Sequence, residues 1–463
     1  MKRARITVLL SAAIALVVAV GAPAAAAAAP PATDLALAVD PASAEVSVKV
    51  LYRPSPSATP VKLSTNAEVA VSFWKLDAEA GFYFEQATGT WTEGGPDEVD
   101  TSAPLEPGIY SIRFLANDTS IGGQWWSGKR YFYESADIVL TAGTSLDLGT
   151  VVLEPRTFDV DRISGSDRYA TAVAVSQATI ADDMRANVVY LASGTNYPDA
   201  LATGPAAIAR GGVLLLTRTG SLPAVTRAEL QRLNPSRVVI VGGPGAVSAG
   251  VMSAVKTALP GVPVDRLGGS NRYATGELIV RNAFASTGAG LAIIATGRNY
   301  PDALAAGPAA GYLGAPVILV DGRGGIPAST VTLLRDLGIT QAVMLGGPSV
   351  VSEAVRSDLM GIVGPGGVYR IQGVSRYDTA AQLNSAVFGP SDFAMVSSGA
   401  NFPDALAGAP LAGALGAPLY LTRPGCLSAE ADAGIVASRA NGVVLLGGPG
   451  ALSAQVANLG VCR

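Results

Sequence analysis

Arg162-Ile-Ser-Gly165-Ser-Asp-Arg168-Tyr169-Ala-Thr171 is written three times in this chain. It returns as Arg266-Leu-Gly-Gly269-Ser-Asn-Arg272-Tyr273-Ala-Thr275 and as Arg370-Ile-Gln-Gly373-Val-Ser-Arg376-Tyr377-Asp-Thr379, each copy 104 residues after the one before. A second phrase follows each copy, Gly194-Thr-Asn196-Tyr197-Pro198-Asp199-Ala-Leu201, then Gly297-Arg-Asn299-Tyr300-Pro301-Asp302-Ala-Leu304, then Gly399-Ala-Asn401-Phe402-Pro403-Asp404-Ala-Leu406. A third closes each copy as Gly242-Gly243-Pro244, Gly346-Gly347-Pro348 and Gly447-Gly448-Pro449. Three ordered phrases at one period mean three copies of one module. Repetition of this kind serves binding better than catalysis, because linked weak sites raise the effective concentration of one another whereas a catalyst needs one good site.

Between the phrases lie short, continuous apolar runs. Val188-Val-Tyr-Leu-Ala, Val213-Leu-Leu-Leu and Val238-Val-Ile-Val in the first copy have the pattern of strands covered on both faces. Residues 199–209 and 224–233 have helix length, and Ser248 is placed to cap a third helix reaching Leu259. The same order recurs in the other copies, so each module is expected to be an α/β unit with a mainly parallel sheet and right-handed crossovers. The boundaries are 161–264, 265–368 and 369–463.

The first third of the chain has another character. Lys2, Arg3 and Arg5, an apolar run from Ile6 to Val20 and the alanines up to Ala29 read as a signal peptide over 1–29, too short in its apolar part for a membrane anchor. Residues 34–155 alternate polar and apolar, as in Val46-Ser-Val48-Lys-Val50, Val69-Ala-Val71-Ser-Phe73 and Tyr110-Ser-Ile112-Arg-Phe114, and are expected to form half-buried antiparallel strands of an all-β sandwich. This region holds all four tryptophans. An exposed Trp125-Trp126 pair could stack on a sugar ring, and the competing reading is core and rim packing. Cys426 and Cys462, alone in the chain, are expected to pair as a staple of the last module, a terminal repeat short of a neighbour on one side. The far C-terminus has no hydrophobic tail and no sortase-type signal, so any surface retention is expected to be non-covalent.

Charge is uneven. Residues 1–155 carry ten bases and seventeen acids, whereas 156–463 carry twenty-two and nineteen, and Lys256 is the single lysine among those twenty-two. Arginine forks match carboxylate or phosphate oxygens, which points to an anionic partner, with internal ion pairing as the alternative. Arg168, Arg272 and Arg376 stand where helices are expected to begin. They either offer an oxyanion site or pair inside the module, for example with the aspartate of the second phrase. Asn196, Asn299 and Asn401 fall at strand C-termini, where open α/β sheets place binding loops. Asp199, Asp302 and Asp404 fit the first helical turn. Gly-Gly-Pro lacks the Gly-Lys-Ser/Thr of a phosphate loop and reads as a tight turn.

The chain contains no histidine, which removes Ser-His-Asp, Cys-His and ordinary zinc-hydrolase chemistry, and no carboxylate pair stands out for glycosidase work. No cofactor, metal or nucleic-acid partner is expected.

With all three phrases in order in all three copies, residues 161–463 resemble the cell wall binding repeat 2 family of clostridial and actinobacterial surface proteins. The resemblance implies three α/β modules in an approximate threefold arrangement, holding a secreted protein non-covalently to an anionic cell wall polysaccharide or teichoic-acid-like polymer of a Gram-positive wall. The stretch from Leu105-Glu-Pro107-Gly108 through Trp126 to Leu153 resembles the carboxypeptidase-regulatory-like, prealbumin-like sandwich. A wall hydrolase or carbohydrate-binding protein targeted by the same repeats is the alternative. Ser375, Asp378 and Phe402 depart from the first copy and put equal binding by all copies in question.

Overall fold

The computed structural model describes residues 45–55, 57–63, 68–77, 82–92, 100–101, 105–141, 145–196, 198–299 and 301–463. The signal peptide expected over 1–29, and Tyr197 and Tyr300 of the second phrase, lie outside the described residues. Two compact units result, one of residues 45–159 with Arg439–Asn441 and one of Val160–Ser438 with Gly442–Arg463.

The first unit is built of β-strands. β1 (Glu45–Tyr52) pairs with β8 (Ser145–Leu153), while β4 (Asp100–Thr101), β3 (Phe82–Thr92), β2 (Glu68–Asp77), β5 (Gly108–Ala116) and β6 (Gln124–Trp125) form a second sheet in that order, with β7 (Ile138–Leu140) also on β5. The second sheet is antiparallel, as the alternating pattern implies. The β1–β8 pair is parallel instead, which corrects the expectation for those two strands. A period of two fixes which face a side chain takes and says nothing of strand direction. Val46, Val48, Val50, Val69, Val71, Phe73, Ile112, Phe114 and Leu153 from both sheets share one core. On β5 the alternation hides more than it shows, because Ser111 and Arg113, polar and expected outside, are also buried. Arg113 lies under the Trp125 ring, 5.4 Å from its centroid, and Ser111 Oγ meets Ser135 Oγ at 2.5 Å.

The second unit holds three four-stranded sheets. The first orders β11 (Val213–Thr217), β10 (Val189–Ser193), β12 (Val238–Val241) and β13 (Val264–Leu267), all parallel. The second orders β15 (Val317–Val320), β14 (Leu291–Thr296), β16 (Gln341–Leu345) and β17 (Val368–Ile371) in the same way. The third has β19 (Leu419–Thr422), β18 (Phe393–Ser398), β20 (Gly442–Leu446) and, at its edge, β9 (Asp159–Ile163). Each sheet therefore takes its last strand from the opening phrase of the next repeat, and β9 closes the cycle by completing the sheet of the third. The amide of Gly447 donates to Ile163 O at 3.0 Å, as Gly242 does to Leu267 O and Gly346 to Ile371 O.

The helices begin where their capping residues stand. α1 (Arg168–Thr179), α5 (Arg272–Phe284) and α9 (Arg376–Val387) are capped by Asp167, Asn271 and Ser375, three residue types that serve one role, so the drift at that position conserves the cap. The Asp378 carboxylate accepts from the amide of Val374 while its own amide donates to Ser375 Oγ, a reciprocal clamp that accounts for an acid in this copy. α2 (Thr203–Ala209) follows a 3-10 turn over Pro198–Ala200, whereas its counterparts α6 (Pro301–Tyr312) and α10 (Pro403–Ala414) run unbroken from the proline. α3 (Ala224–Leu233), α4 (Ala249–Ala258, capped by Ser248), α7 (Ala328–Asp336), α8 (Glu353–Val363), α11 (Ala429–Ala437) and α12 (Ala454–Ala457) complete the crossovers. α2, α6 and α10 pack on one another, meeting through Gly204, Gly307 and Ala409. Small side chains there let three helix backbones approach closely, which is why these segments are rich in alanine and glycine.

The cysteines form a disulfide with Cα atoms 5.0 Å apart. Leu427 and Val461 bridge beside it, so the bond ties the last residues to the loop after β19. The third repeat has β9 as a neighbour, which corrects the picture of a repeat left open on one side.

Candidate functional site

In the sheet order β11-β10-β12 the chain leaves β10 toward one side and returns to the other. The crevice at such a reversal, beyond the strand C-termini, is where open α/β sheets bind ligands. The second phrase follows β10 and the third follows β12, so the two flank that crevice, and the opening phrases fill in the rest.

Within one repeat, the opening phrase closes on the second. Arg168 Nη1 donates to Gly194 O at 2.5 Å, Arg272 Nη1 to Gly297 O at 2.6 Å and Arg376 Nη1 to Gly399 O at 2.7 Å. Tyr169, Tyr273 and Tyr377 lay their rings on the same three glycines, where a methyl group would fall 2.6 to 2.7 Å from a ring carbon. That contact is why phrase two opens on glycine. The hydroxyls of Thr171, Thr275 and Thr379 each accept from the amide of the phrase's own glycine at 3.1 Å, bracing the turn into the helix.

Between repeats, the opening phrase closes on the third phrase of the copy before it. Arg266 Nη1 donates to Gly242 O at 2.7 Å, Arg370 Nη1 to Gly346 O at 2.7 Å and, across the closure of the cycle, Arg162 Nη1 to Gly447 O at 2.6 Å. These glycines hold φ of +97°, +98° and +113°, a left-handed region that side chains resist. The aspartates of the second phrase pack against them. Burial pushes the carboxyls of Asp199 and Asp302 up, and that of Asp404 up to about 6. Opposing that push are groups of the following copy: the Thr275 hydroxyl and then the Arg272 charge at Asp199, the Arg376 charge at Asp302, and the Arg168 charge with the Thr171 hydroxyl at Asp404. The expected pairing of arginine with aspartate inside one module is thus corrected to a longer-range attraction across the junction, while direct hydrogen bonds go to carbonyls.

These bonds leave the basic groups in reach of solvent. Arg168 and Arg376 are exposed and Arg272 is half-buried. Asn196, Asn299 and Asn401 are exposed, two residues beyond the glycine carbonyl that each arginine grips, so each arginine and its asparagine share one corner of the crevice. Sequence reasoning gave no part to the residue that follows the second strand of each sheet. Register places Thr217 opposite Ser193, Val320 opposite Thr296 and Thr422 opposite Ser398, which makes Arg218, Asp321 and Arg423 equivalent. The Arg218 guanidinium sits 5.5 Å from the centroid of the Tyr169 ring. A charge of alternating sign at one equivalent position was the signal available.

The tryptophans separate. Trp125 is 3% exposed and packs edge-on against Trp74 and Phe132 with centroids 5.9 and 5.0 Å away, so it belongs to the core and does not form an exposed stacking pair. Trp126 is half-buried at the rim. Among the described residues no group of three or more Cys, Asp or Glu side chains is placed to hold a metal, and no helix is long and apolar enough to cross a membrane.

The cell wall binding domain 2 (CWB2) family matches residues 162–252, 266–356 and 370–457. N-acetylmuramoyl-L-alanine amidase LytC of Bacillus subtilis (strain 168) is 31% identical over 314 residues, 67% of this chain and 60% of that protein. The Amidase enhancer of the same organism is 27% identical over 299 residues, 64% of this chain and 39% of that one. The chain thus spans less than two thirds of either relative. Of solved structures, Cwp6 from Clostridium difficile superposes with a TM-score of 0.61 at 22% identity, over 87% of this chain and 64% of its own. Cwp8 from the same organism gives 0.59 at 24%, over 77% and 60%. At these identities the two structures speak to the fold.

Proposed function

This chain belongs to the cell wall binding domain 2 family and is a cell wall or cell surface protein, and from that premise we propose that its repeats hold an anionic wall polymer non-covalently, many weak contacts adding to one firm attachment. The observation that carries this reading is the threefold recurrence of an accessible guanidinium beside an accessible asparagine at a strand-end crevice: Arg168 with Asn196, Arg272 with Asn299, Arg376 with Asn401. Carbonyl bonds orient each guanidinium without neutralising it, and the facing carboxylate belongs to a neighbouring copy. A polysaccharide or teichoic-acid-like polymer with regularly spaced phosphate or carboxylate groups fits such a series.

On this reading the N-terminal unit is a small β-sandwich of the carboxypeptidase-regulatory-like kind, displayed by the attached repeats. The core shared by Val46, Val48 and Val50 with Val69, Val71 and Phe73 supports it. The reading is attachment rather than lysis: without histidine the chain offers no Ser-His-Asp, Cys-His or ordinary zinc-hydrolase arrangement, and each repeat carries one recurring aspartate in the second phrase rather than a carboxylate pair.

The test is sedimentation of the purified full chain with Bacillus subtilis sacculi. Co-sedimentation with intact sacculi, and release by a treatment that strips their anionic polymers, is the expected result. Equal binding to stripped sacculi would refute the polymer as ligand. A zymogram with the same wall material should show no clearing.

A further inference from the structure

The three crevices differ at the position after the second strand. In the second repeat Asp321 stands there, and its carboxylate is held as a ligand would be. Arg298 donates to Oδ1 from Nε at 3.0 Å and from Nη2 at 2.8 Å, and Nη2 also lies 2.7 Å from Oδ2. The Tyr273 hydroxyl donates to Oδ2 at 3.3 Å and the backbone amide of Arg323 to Oδ1 at 3.4 Å. The Arg298 fork, first among these contacts, holds the carboxyl of Asp321 below the usual carboxylate range.

In the first repeat both members of that pair are changed together. Thr195 replaces Arg298 and Arg218 replaces Asp321, with the guanidinium of Arg218 over Tyr169, the counterpart of the tyrosine that binds Asp321. The third repeat repeats the exchange as Ala400 and Arg423, with Tyr377 as the counterpart of Tyr169 in sequence and Arg423 equivalent to Arg218 by strand register. Arg218 and Arg423 are exposed, and among the described residues neither forms an ion pair with a carboxylate. A neutral internal pair in one crevice has become an unmatched cation in the other two.

We propose that Asp321 is a built-in oxyanion occupying the site of the second repeat, and that in the first and third repeats Arg218 with Tyr169, and Arg423 with Tyr377, receive a phosphate or carboxylate group of the wall polymer in its place. The inference rests on the reading of the repeats as polymer-binding. It divides them into two open crevices and one self-filled one.

The experiment measures binding of the full chain to Bacillus subtilis sacculi by sedimentation, with unfolding curves recorded for every variant. Arg218→Asp and Arg423→Asp, which import the acid of the second repeat at exposed positions, each weaken binding, and together they weaken it by at least about tenfold, since linkage between two sites is lost. Asp321→Arg, a gain that misfolding cannot mimic, strengthens binding severalfold. Sacculi treated with hydrofluoric acid, which cleaves phosphodiesters, and sacculi amidated with carbodiimide, which neutralises carboxylates, tell the two sources apart: the treatment that abolishes wild-type binding names the group. Wild-type affinity in the double variant, or loss of affinity in Asp321→Arg, overturns the inference while leaving polymer binding intact. A wild-type chain indifferent to both treatments overturns the polymer reading itself.

Discussion

At the scale of single residues, each junction depends on a glycine that two demands exclude from substitution. Gly242 has φ of +97°, and a Cβ on it would lie 2.6 Å from Asp199 Oδ2. Its neighbour Gly243 has open space around it. Gly242→Ala should therefore cost about 1 to 3 kcal/mol for the strained backbone alone, and more for displacing the carboxylate. Gly243→Ala should be close to neutral. Urea unfolding of the two variants checks this, and equal midpoints would mean that the junction does not depend on the close approach. The same residues mark how far the sequence could be read. The recurrence of Gly242, Gly346 and Gly447 was visible and a turn was the evident inference. That Arg266 of one copy grips the carbonyl of a glycine 24 residues upstream in another was not, because a hydrogen bond to a carbonyl leaves no trace in side-chain chemistry.

Among elements, the junction between the third and first repeats is set apart because it joins the two ends of the repeat array. There Asp404, at the start of α10, faces Arg168 and Thr171 of α1. Burial raises its carboxyl from about 3.8 to about 6, so the folded chain binds that proton more tightly than the unfolded one. The resulting contribution is complete below about pH 4, disappears as pH rises through about 6, and amounts to about 2 to 3 kcal/mol. Asp404→Asn should remove that part of the pH dependence, flattening unfolding free energy between pH 4 and 6 relative to wild type. An unchanged slope would mean that the site does not titrate there. The Cys426–Cys462 bond, spanning 36 residues, acts on another part of the same repeat. Its reduction should lower stability by about 4 kcal/mol on the chain-entropy account, and calorimetry with and without reductant measures it. Helix starts and buried strands were legible from capping residues and apolar runs, down to Arg168, Arg272 and Arg376 as first helical residues. Strand exchange between copies was not legible, since a strand's composition says that it is covered and not by which neighbour. For the same reason β1 and β8 could not be read as parallel.

For the molecule as a whole, an excess of arginine over acid in the repeat region becomes a series of crevices, two with a second exposed arginine that meets no carboxylate among the described residues and one whose second arginine, Arg298, is paired with Asp321. The family and its three copies were readable from order and period alone. The inequality of the crevices required strand register, because Arg218, Asp321 and Arg423 lie outside the recurring phrases. Attachment that is electrostatic and spread over several contacts must weaken steeply with salt, the counterions shortening the reach of each guanidinium. The most direct measurement is the affinity of the full chain for purified sacculi across a salt series from about 50 mM to about 1 M, over which the screening length falls severalfold. Tight retention at the low end and release well before the high end are expected, whereas retention independent of salt would rule out electrostatic attachment and assign it to uncharged contacts with sugar.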